Sequence, residues 1–484
     1  FGSSKNGIFI NRGGFLETTP SWESEKSQET LSVEVGDIDG DGDNDVIFGN
    51  ADLSDEVYLN HDRTVEKNYG WTDGIRASTY VVKSADVNND GFEDLFQGNV
   101  FMTGDESSGD NHHDFLFYGT EDGLEDTPRW TSNVSVNTLD ADWIDIDLDG
   151  DFDLYVATSD QDMIFTNEDG NLSTDPSWIS PYSSYSIDVE VADFNDDGMY
   201  DVVIANSESS AASHIYLCCD SSGELILWWT GLENRSSSSV DVGDLDGDGL
   251  VDLLFTNSDW GSTAFHNDGT AFLFPENHTQ TLAWAMTDAA IADLNDDGCN
   301  DVVYADGQFP NRITFCNGTV NGLPTYRNSG SGWTGWGGSF DVEVGDMDAD
   351  GDLDVIWAEV NRPLVITIFE NGAPLTRWKS EVVLSPRDIE IADVTGDGGL
   401  DIVAAMMSLS ENVVFESRTD GDGDWVSDEL DAFPLDPTQS EDWDGDGFGD
   451  HDMGKLPDSC TLYRGDSWRD RWGCPDMDSD GQSD

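Results

Sequence analysis

The chain has 484 residues, and its 101 aspartate and glutamate residues outnumber its 20 lysine and arginine residues, which gives a formal net charge of -81. That excess of negative charge disfavours nucleic acid and anionic membrane surfaces as partners unless cations bridge them. No run of about 18 apolar residues occurs, so we expect no membrane insertion. The chain begins at Phe1, shows no signal peptide and ends on the last residue of an acidic motif, so we expect a segment of a longer product.

The first predicted elements are short apolar strands. The segment from Phe1 to about Trp22 resembles the second half of a repeat unit, and the first complete unit follows it. In that unit Leu31, Val33 and Val35 alternate with polar residues, an acidic loop turns the chain, and three more apolar segments follow. Period-two alternation with glycine-rich turns predicts a four-stranded antiparallel meander.

The acidic loop of this unit runs from Asp37 to Asp45 with the sequence Asp-Ile-Asp-Gly-Asp-Gly-Asp-Asn-Asp. Carboxylates at loop positions 1, 3, 5 and 9 can converge on one hard cation, the carbonyl of position 7 adds an oxygen, and glycine at position 6 permits the sharp turn. A cage built only of oxygen ligands favours Ca²⁺ over Mg²⁺ and over transition metals, which usually require His or Cys. The sequence therefore predicts a calcium-binding loop.

The same loop occurs eight times, and we number the copies 1 to 8 in chain order. Successive copies begin 49, 59, 48, 51, 49, 53 and 47 residues apart, a period that suits the blade of a β-propeller. The predicted metal ligands are Asp37, Asp39, Asp41, Asp43 and Asp45 in loop 1; Asp86, Asn88, Asp90 and Asp94 in loop 2; Asp145, Asp147, Asp149 and Asp153 in loop 3; Asp193, Asn195, Asp197 and Asp201 in loop 4; Asp244, Asp246, Asp248 and Asp252 in loop 5; Asp293, Asn295, Asp297 and Asp301 in loop 6; Asp346, Asp348, Asp350 and Asp354 in loop 7; and Asp393, Thr395, Asp397 and Asp401 in loop 8.

Two further features keep the phase of the loops. A tryptophan lies 15 residues before six of them, at Trp22, Trp71, Trp130, Trp178, Trp229 and Trp378. These residues could form ligand platforms, but regular recurrence favours packing within the repeat. A glycine or alanine precedes every loop except loop 3, where Ile144 predicts a local distortion; small residues are expected where inner strands crowd around a central axis.

These patterns predict an all-β fold, a β-propeller of four-stranded antiparallel blades. Eight loops indicate eight blades over residues 1–416, with the N-terminal strands completing the blade of loop 8 and so closing the ring without an exposed edge. A ring of seven blades with one unit outside it is the alternative.

The alternating strands cease after about Ser417, and residues 417–484 form a second predicted region. Three more acidic cages are expected there, with the ligands Asp420, Asp422, Asp424 and Asp428; Asp442, Asp444, Asp446 and Asp450; and Asp476, Asp478, Asp480 and Asp484. Apolar residues are too sparse for a conventional core, so bound Ca²⁺ and a disulfide between Cys460 and Cys474 would hold this tail. We thus expect about eight Ca²⁺ ions in the propeller and up to three in the tail.

The cysteines and sequons bear on the compartment. Cys299 and Cys316 are a second candidate pair, whereas spacing leaves Cys218 and Cys219 open between free thiols, a vicinal bond and an intermolecular bond. Sequons at Asn133, Asn171, Asn234, Asn277 and Asn317 are compatible with a secreted glycoprotein. Because extracellular calcium suits such cages, we expect an extracellular or cell-surface location.

The loops, each followed by an apolar strand such as Asp-Val-Ile-Phe, resemble the FG-GAP/VCBS repeats of integrin-α-type β-propellers over roughly residues 1–416. The resemblance implies that each loop joins the first and second strands of a blade and that positions 1, 3, 5 and 9 supply the calcium ligands. It also implies roles in adhesion, extracellular recognition or non-catalytic support of secreted enzymes. Position 3 departs from Asp at Asn88, Asn195, Asn295 and Thr395, which predicts weaker binding in those loops.

The tail is similar to thrombospondin type 3 repeats, on the acidic cages and the stretch from Asp428 to Pro437 between them. That resemblance implies a calcium-loaded spacer with little core. Trp425 departs from the glycine that the family has at this turn of the first cage.

Three functions are weighed from these observations. The first is adhesion or assembly at a cell surface or in a filament, with other surface proteins or copies of itself as partners. The second is a secreted carbohydrate-binding module for polysaccharide capture. An enzyme is the third and least favoured, since the sequence has no Gly-x-Ser-x-Gly, His-Glu-x-x-His or Cys-x-x-Cys motif, and we expect no catalytic residues.

Overall fold

The structure is a computed structural model in which strands are the only regular elements of the described residues, so the predicted all-β class is confirmed. The described part of the chain contains no helix long and apolar enough to cross a membrane. The described residues are 8–9, 22, 24, 29–51, 53–61, 64–66, 69–101, 113–121, 123–208, 211–219, 225–231, 235–258, 261–270, 272–273, 286–308, 310–320, 323–328, 338–370, 373–380, 385–394, 398–406 and 413–415, and in the tail 432–433, 446–448, 457, 459–460, 464–465, 467–469, 472, 474–475 and 482–483.

The described strands form eight four-stranded antiparallel sheets, which we number after the loops they contain. The strands of sheets 1 to 4 are Thr30–Gly36, Asp45–Asn50, Glu56–Tyr58 and Trp71–Thr72; Thr79–Ala85, Asp94–Asn99, Phe115–Phe117 and Trp130–Thr131; Thr138–Ile144, Asp153–Thr158, Met163–Phe165 and Trp178–Ile179; and Ser186–Ala192, Asp201–Asn206, His214–Leu217 and Ile226–Thr230. Those of sheets 5 to 8 are Ser237–Gly243, Asp252–Asn257, Thr263–Asn267 and Phe272–Leu273; Met286–Ala292, Asp301–Asp306, Arg312–Val320 and Leu323–Asn328; Ser339–Gly345, Asp354–Glu359, Val365–Glu370 and Ala373–Lys379; and Pro386–Ala392, Asp401–Met406, Val413–Phe415 and Ile8–Phe9. A small hairpin, Asn60–His61 with Thr64–Val65, lies beside sheet 1.

The sheets follow one another in a closed circle. The first strand of each sheet contacts the first strands of both neighbours, including that of sheet 8 against that of sheet 1. The N-terminal strand Ile8–Phe9 belongs to sheet 8, where it pairs with Asp401–Met406 and with Val413–Phe415. The first and last described strands therefore meet in one sheet, and all eight described four-stranded sheets lie within the circle.

Burial along each blade follows from this stacking. Every second strand is buried along its whole length, as in Asp45–Asn50, because a neighbouring sheet covers each of its two faces. Val46 and Phe48 pack towards sheet 8, whereas Ile47 packs with Val82 and Leu95 of sheet 2. The core is thus a set of layers between successive blades.

Each first strand carries a register shift before its midpoint, and there the blades are bonded to each other. In six of the eight blades, the side chain of the residue five positions before the loop accepts a hydrogen bond from a main-chain amide of the next first strand. These bonds are Val33 N to Asp388 Oδ2, 2.9 Å; Val82 N to Ser32 Oγ, 3.0 Å; Val189 N to Asp140 Oδ2, 2.9 Å; Val240 N to Asp188 Oδ2, 2.7 Å; Val342 N to Asp288 Oδ2, 3.2 Å; and Ile389 N to Asp341 Oδ2, 2.8 Å.

The recurring tryptophans join blades rather than form a ligand platform. Trp130 is buried, its ring meets Phe165 of the next sheet edge-on at 5.2 Å, and its Nε1 donates to the carbonyl of Ser173 at 2.9 Å. Trp71 makes the same contacts with Phe117 and the Glu125 carbonyl. The equivalent edge-on pairs are Trp22 with Tyr58, Trp178 with Tyr216 and Trp229 with Phe265.

Close approach explains the small residue before the loops. A Cβ at Gly36 would lie 2.0 Å from Glu93 Oε2 of the next blade, and one at Gly345 would lie 2.6 Å from Ile391. The distortion expected at Ile144 is wrong, because Ile144 pairs with Asp153 in the register of the other sheets and is buried beside Val189.

Three disulfides are present: Cys218–Cys219, Cys299–Cys316 and Cys460–Cys474. The second and third confirm the predicted pairs. The first resolves the alternatives left open by the sequence in favour of the vicinal bond.

We expect Trp130→Ala to destabilise the protein by about 3–5 kcal/mol, because it removes an interblade ring and a hydrogen bond. Trp130→Phe keeps the edge-on packing and should cost about 1 kcal/mol. Thermal melting of both variants in Ca²⁺ is the measurement, with Trp468→Ala as the control since Trp468 is 57% exposed. Equal melting of Trp130→Ala and the control would contradict the interblade role.

Candidate metal centres

The loops share one turn geometry that gathers the acidic side chains. The amide of the glycine at position 6 donates to Oδ2 of the position-1 Asp in all eight loops, over 2.8–3.2 Å. This glycine has a positive φ in all eight loops, as at Gly42 with φ 93°. A side chain there would be strained, so glycine at this position is a backbone requirement.

The residue at position 4 also has a left-handed backbone conformation. The sequence did not indicate this, because five of the described loops have a residue other than glycine there. The φ angles are 57° at Asn89, 61° at Leu148, 57° at Asp196, 55° at Asp296 and 59° at Ala349, whereas loops 1 and 5 have glycine. An alternation of left-handed residues turns successive side chains towards one point, at a cost of order 1 kcal/mol or more for each non-glycine residue. Hydrogen bonds within the loop, such as that from Gly150 N to Asp145 Oδ2 at 3.2 Å, help to offset this cost.

The described side chains fit a hard dication. Carboxylate oxygens converge to within 4.8 Å of one another in the clusters Asp37–Asp39–Asp45, Asp145–Asp147–Asp153 and Asp244–Asp246–Asp248. Among these side chains, the buried Oδ1 atoms of Asp37, Asp145 and Asn195, at loop positions 1, 1 and 3, have no hydrogen-bond partner among the described residues. A buried oxygen without a donor is costly, and Ca²⁺ takes six to eight such oxygens. The amide oxygen of Asn195 is therefore available to a cation although it carries no charge.

Electrostatics within the loops point the same way. Burial, then the neighbouring Asp350, raises the pKa of Asp348 to about 7. Burial and the adjacent carboxylates likewise raise the pKa of Asp39 and that of Asp147. A dication between these groups would replace carboxylate repulsion by attraction, so metal binding and folding are expected to be coupled.

The Asp at position 9 has a second role that spacing alone did not show. In loop 3, Asp153 Oδ2 accepts from Ile146 N at 2.9 Å and Oδ1 accepts from Asn167 N at 2.7 Å. The same pair of amide bonds is made by Asp45, Asp94, Asp201, Asp252 and Asp354. This carboxylate fastens the loop to the end of the third strand, and each oxygen keeps a lone pair for a metal ion.

The loops also bond to the following blade. The side-chain amide of Asn60 donates to the carbonyl of Val394 in loop 8, that of Asn167 to Val87 in loop 2 at 2.8 Å, and that of Asn267 to Phe194 in loop 4 at 2.6 Å. Each of these carbonyls belongs to position 2 of a loop. Ordering one loop therefore also orders its neighbour.

The remaining predicted ligands fall into two groups. Asp43 donates its amide to Asp41 Oδ1 at 3.0 Å, and in the tail Asp446 accepts from the amides of Phe448 and Gly465 at 3.0 and 2.8 Å. The others lie outside the described residues: Thr395, Asp397, Asp420, Asp422, Asp424, Asp428, Asp442, Asp444, Asp450, Asp476, Asp478, Asp480 and Asp484.

An acidic cavity of about 350 Å³ lies on the axis among the first strands. Carboxylates three residues before the loops face it, among them Glu34, Glu343 and Glu390, and Lys83 and Arg387 are the cations in its described lining. Burial, then repulsion by Glu390, raises the pKa of Glu343 to about 9, and burial, then repulsion by Glu34, raises the pKa of Glu390 to about 8. The ring thus gathers carboxyl groups on its axis as well as in its loops.

Comparison with known protein families identifies the repeat in part of the chain. An FG-GAP-like repeat model matches residues 37–97, 145–204 and 244–304. Each match begins at position 1 of a loop and runs through the next loop, so loops 1 to 6 lie within the matched segments. The chain therefore contains FG-GAP-like repeats on a propeller-like all-β fold. No curated protein matches the chain in sequence.

Solved structures align with the chain at low sequence identity. The V. cholerae biofilm matrix protein Bap1 aligns with a TM-score of 0.53 and 11% identity over 85% of this chain and 91% of that chain. BBS1N, from its complex with ARL6DN, aligns with a TM-score of 0.45 and 10% identity over 84% of this chain and 96% of that one. An Agrocybe aegerita lectin that recognises non-reducing terminal N-acetylglucosamine gives 0.37 and 15% over 66% and 90%. The similarity to Bap1 is one of fold.

Substitution in loop 3 should separate metal ligation from backbone support. Asp149→Asn removes a charge at position 5 and should weaken Ca²⁺ binding while leaving the melting temperature in chelator almost unchanged. Asp153→Asn places an amide group against a backbone donor and should cost about 1–3 kcal/mol both with Ca²⁺ and with chelator. Melting curves of the two variants under both conditions test this, and identical behaviour would contradict the division of roles.

The axial carboxylates predict a loss of stability at alkaline pH. Because the pKa of Glu343 is raised from 4.5 to about 9 in the folded state, the folded protein binds more protons than the unfolded chain between these values, and stability falls as pH rises through them. Glu343→Gln should therefore raise the melting temperature by about 2–5 °C near pH 9 and little near pH 5. The exposed Glu168→Gln is the control, and a gain independent of pH would contradict the assignment.

Proposed function

We propose that the protein is an extracellular, calcium-stabilised β-propeller that acts without catalysis in adhesion or in assembly at a cell surface or filament. The observation that supports this most is the repetition of one oxygen-rich loop in every blade, with buried oxygens at Asp37 and Asp145 that lack a donor. Eight equivalent sites suit a structural ion better than a catalytic one, since a reaction needs one site. Ca²⁺ fits because the loops offer carboxylates, an amide oxygen and main-chain carbonyls.

Extracellular location is supported by the three disulfides, which persist in oxidising compartments, and by the abundance of calcium there. The propeller shares its fold with Bap1, a biofilm matrix protein, so the architecture occurs in a protein of that kind. The thrombospondin type 3-like tail, residues 417–484, serves in this proposal as a calcium-dependent spacer.

Partners in this proposal are other surface proteins or copies of the same chain. The net charge of -81 opposes contact between two copies through Coulomb repulsion. Ca²⁺ lowers that charge and can bridge carboxylates of two chains, so association should depend on the ion.

Calcium removal is the first test. Chelation should lower the melting temperature sharply, by 10 °C or more if several sites empty, since each bound ion stabilises the folded state by roughly RT ln(1 + [L]/Kd). Light scattering of the full chain in Ca²⁺ and in chelator then tests association, with Mg²⁺ at equal concentration as the control for ionic screening. Unchanged melting in excess chelator would overturn the calcium assignment, and association indifferent to Ca²⁺ would overturn the assembly role.

Carbohydrate capture is the second candidate, and exposed aromatic side chains favour it. Tyr182 is 43% exposed, Tyr185 37%, Phe101 52% and Phe340 41%. All four lie at the end of the blades opposite the metal loops. They precede or begin a first strand, or follow a second strand, and the loop joins the other ends of these two strands. Aromatic rings on one face suit stacking on sugar rings.

A polysaccharide panel tests that candidate. Retention in affinity electrophoresis should fall for the paired change Tyr182→Ala and Tyr185→Ala, whereas Ile179→Ala, at a residue of similar exposure at the end of the strand before this connection, should retain binding. Absence of retention by any polysaccharide, with Ca²⁺-dependent association intact, would leave the first function and remove the second.

A further inference from the structure

Some metal-ligand clusters in the described part of the chain include an imidazole nitrogen, and two of them lie at loops. They are Asp246–Asp252–His266 at loop 5 and Asp39–Asp41–His61 at loop 1, and in each the candidate ligand atoms lie within 4.8 Å of one another. The clusters Asp37–Asp39–Asp45 and Asp244–Asp246–Asp248 of the same loops contain only oxygen. The third position of each of these loops thus belongs to an oxygen cluster and to a mixed one.

The loop 5 cluster is compact and buried. His266 lies on the third strand of sheet 5, and its Nδ1 is 3.2 Å from Asp252 Oδ2 and 3.7 Å from Asp246 Oδ2. The side chains of His266, Asp246 and Asp252 are 2%, 8% and 0% exposed. Two ligands about 2.1 Å from one ion at octahedral or tetrahedral angles lie roughly 3.0–3.4 Å apart. The separation of His266 Nδ1 from Asp252 Oδ2 lies in this range, whereas that from Asp246 Oδ2 is slightly longer, so a small shift of the Asp246 side chain would let one small dication contact all three atoms.

The fold does not require a histidine at this place. His266 precedes Asn267, whose amide donates to the position-9 Asp252 at 2.7 Å. The residues that precede the corresponding amide in other blades are Leu59, Tyr118, Thr166, Leu217, Phe315 and Ile368, none of which offers a nitrogen ligand. Other side chains therefore fill this place in the other blades. Packing alone does not require an imidazole in sheet 5, which suggests that His266 is there for its nitrogen.

We propose that His266, Asp246 and Asp252 form a mixed nitrogen and oxygen site that binds a first-row transition-metal dication, represented by Zn²⁺, beside the oxygen ligands that Ca²⁺ takes. Imidazole suits Zn²⁺, whereas Ca²⁺ takes oxygen ligands. The inference rests on the metal-binding role proposed for the loops and adds a second metal to it. It is confined to loop 5, because His61 is 48% exposed and water competes there.

Zinc titration in excess Ca²⁺ tests the proposal. Isothermal calorimetry of the full chain should show that His266→Asn binds one Zn²⁺ fewer than the wild type or binds it about 100-fold more weakly, since a direct ligand is lost. The control is His214→Asn, because His214 is also buried on a third strand and stacks on Tyr182. His214→Asn should bind Zn²⁺ as the wild type does. Equal Zn²⁺ binding by His266→Asn and the wild type would overturn the site.

A second measurement needs no variant and so does not depend on how His266→Asn folds. Wild-type crystals grown in Ca²⁺ and soaked in Zn²⁺ should give an anomalous difference peak at the zinc edge within about 2.1 Å of His266 Nδ1. No peak there would overturn the proposal and show an imidazole that only donates to Asp252. A Ca²⁺ titration of the wild type tests the calcium role separately, and its result does not depend on whether the zinc peak is found.

Discussion

In loops 1 to 5 and 7 the carboxylate that ends the loop accepts one amide from the loop itself and one from the end of the third strand, and the rest of the blade depends on those two bonds. Asp153 shows the arrangement: it sits at the first residue of the buried second strand, bonded to Ile146 on one side and Asn167 on the other. An unpaired carboxylate at 0% exposure would be strongly destabilising, whereas one that accepts two amides fixes three segments in one register. The loop can then keep its left-handed turn even where position 4 is not glycine.

The same geometry brings acidic side chains together in two places, the loops and the axis of the ring. Their surroundings differ between the two places. In the loops, oxygens without donors face a common point, so a dication removes both the repulsion and the unpaired oxygen. On the axis, Asp140, Asp188, Asp288 and their relatives bond to amides of the next blade, whereas Glu343 and Glu390 meet mainly other carboxylates. Acidic residues five positions before a loop therefore hold neighbouring blades together. Glu343 and Glu390, three positions before a loop, repel neighbouring carboxylates and so weaken the contact between blades unless they are protonated.

Much of this could be predicted from short-range pattern. Loop spacing, period-two strands and recurrent tryptophans each depend on residues within one repeat, so the all-β class, the strand order and the packing role of Trp71 and Trp130 follow from the sequence. The amide partners of Asp153 and the left-handed turn at Leu148 do not, because they depend on a strand about 14 residues away and on a conformation that no residue type marks. The proximity of His266 to Asp246 was hidden for the same reason, since strand pairing alone brings them together.

Neighbouring loops are coupled through Asn60, Asn167 and Asn267, whose side chains reach the carbonyl at position 2 of the preceding blade. If the loops bind Ca²⁺ as proposed, occupation of one cage should constrain the backbone of the next. Loops with Asn at position 3 alternate with loops that have Asp there along loops 1 to 6. In loops 2 and 4 the bonded carbonyls, those of Val87 and Phe194, stand beside Asn88 and Asn195, where charge is lower and cation affinity should be weaker. Asparagines of sheets 3 and 5 thus support the weaker loops with a hydrogen bond, so the ring distributes order among sites that differ in intrinsic affinity.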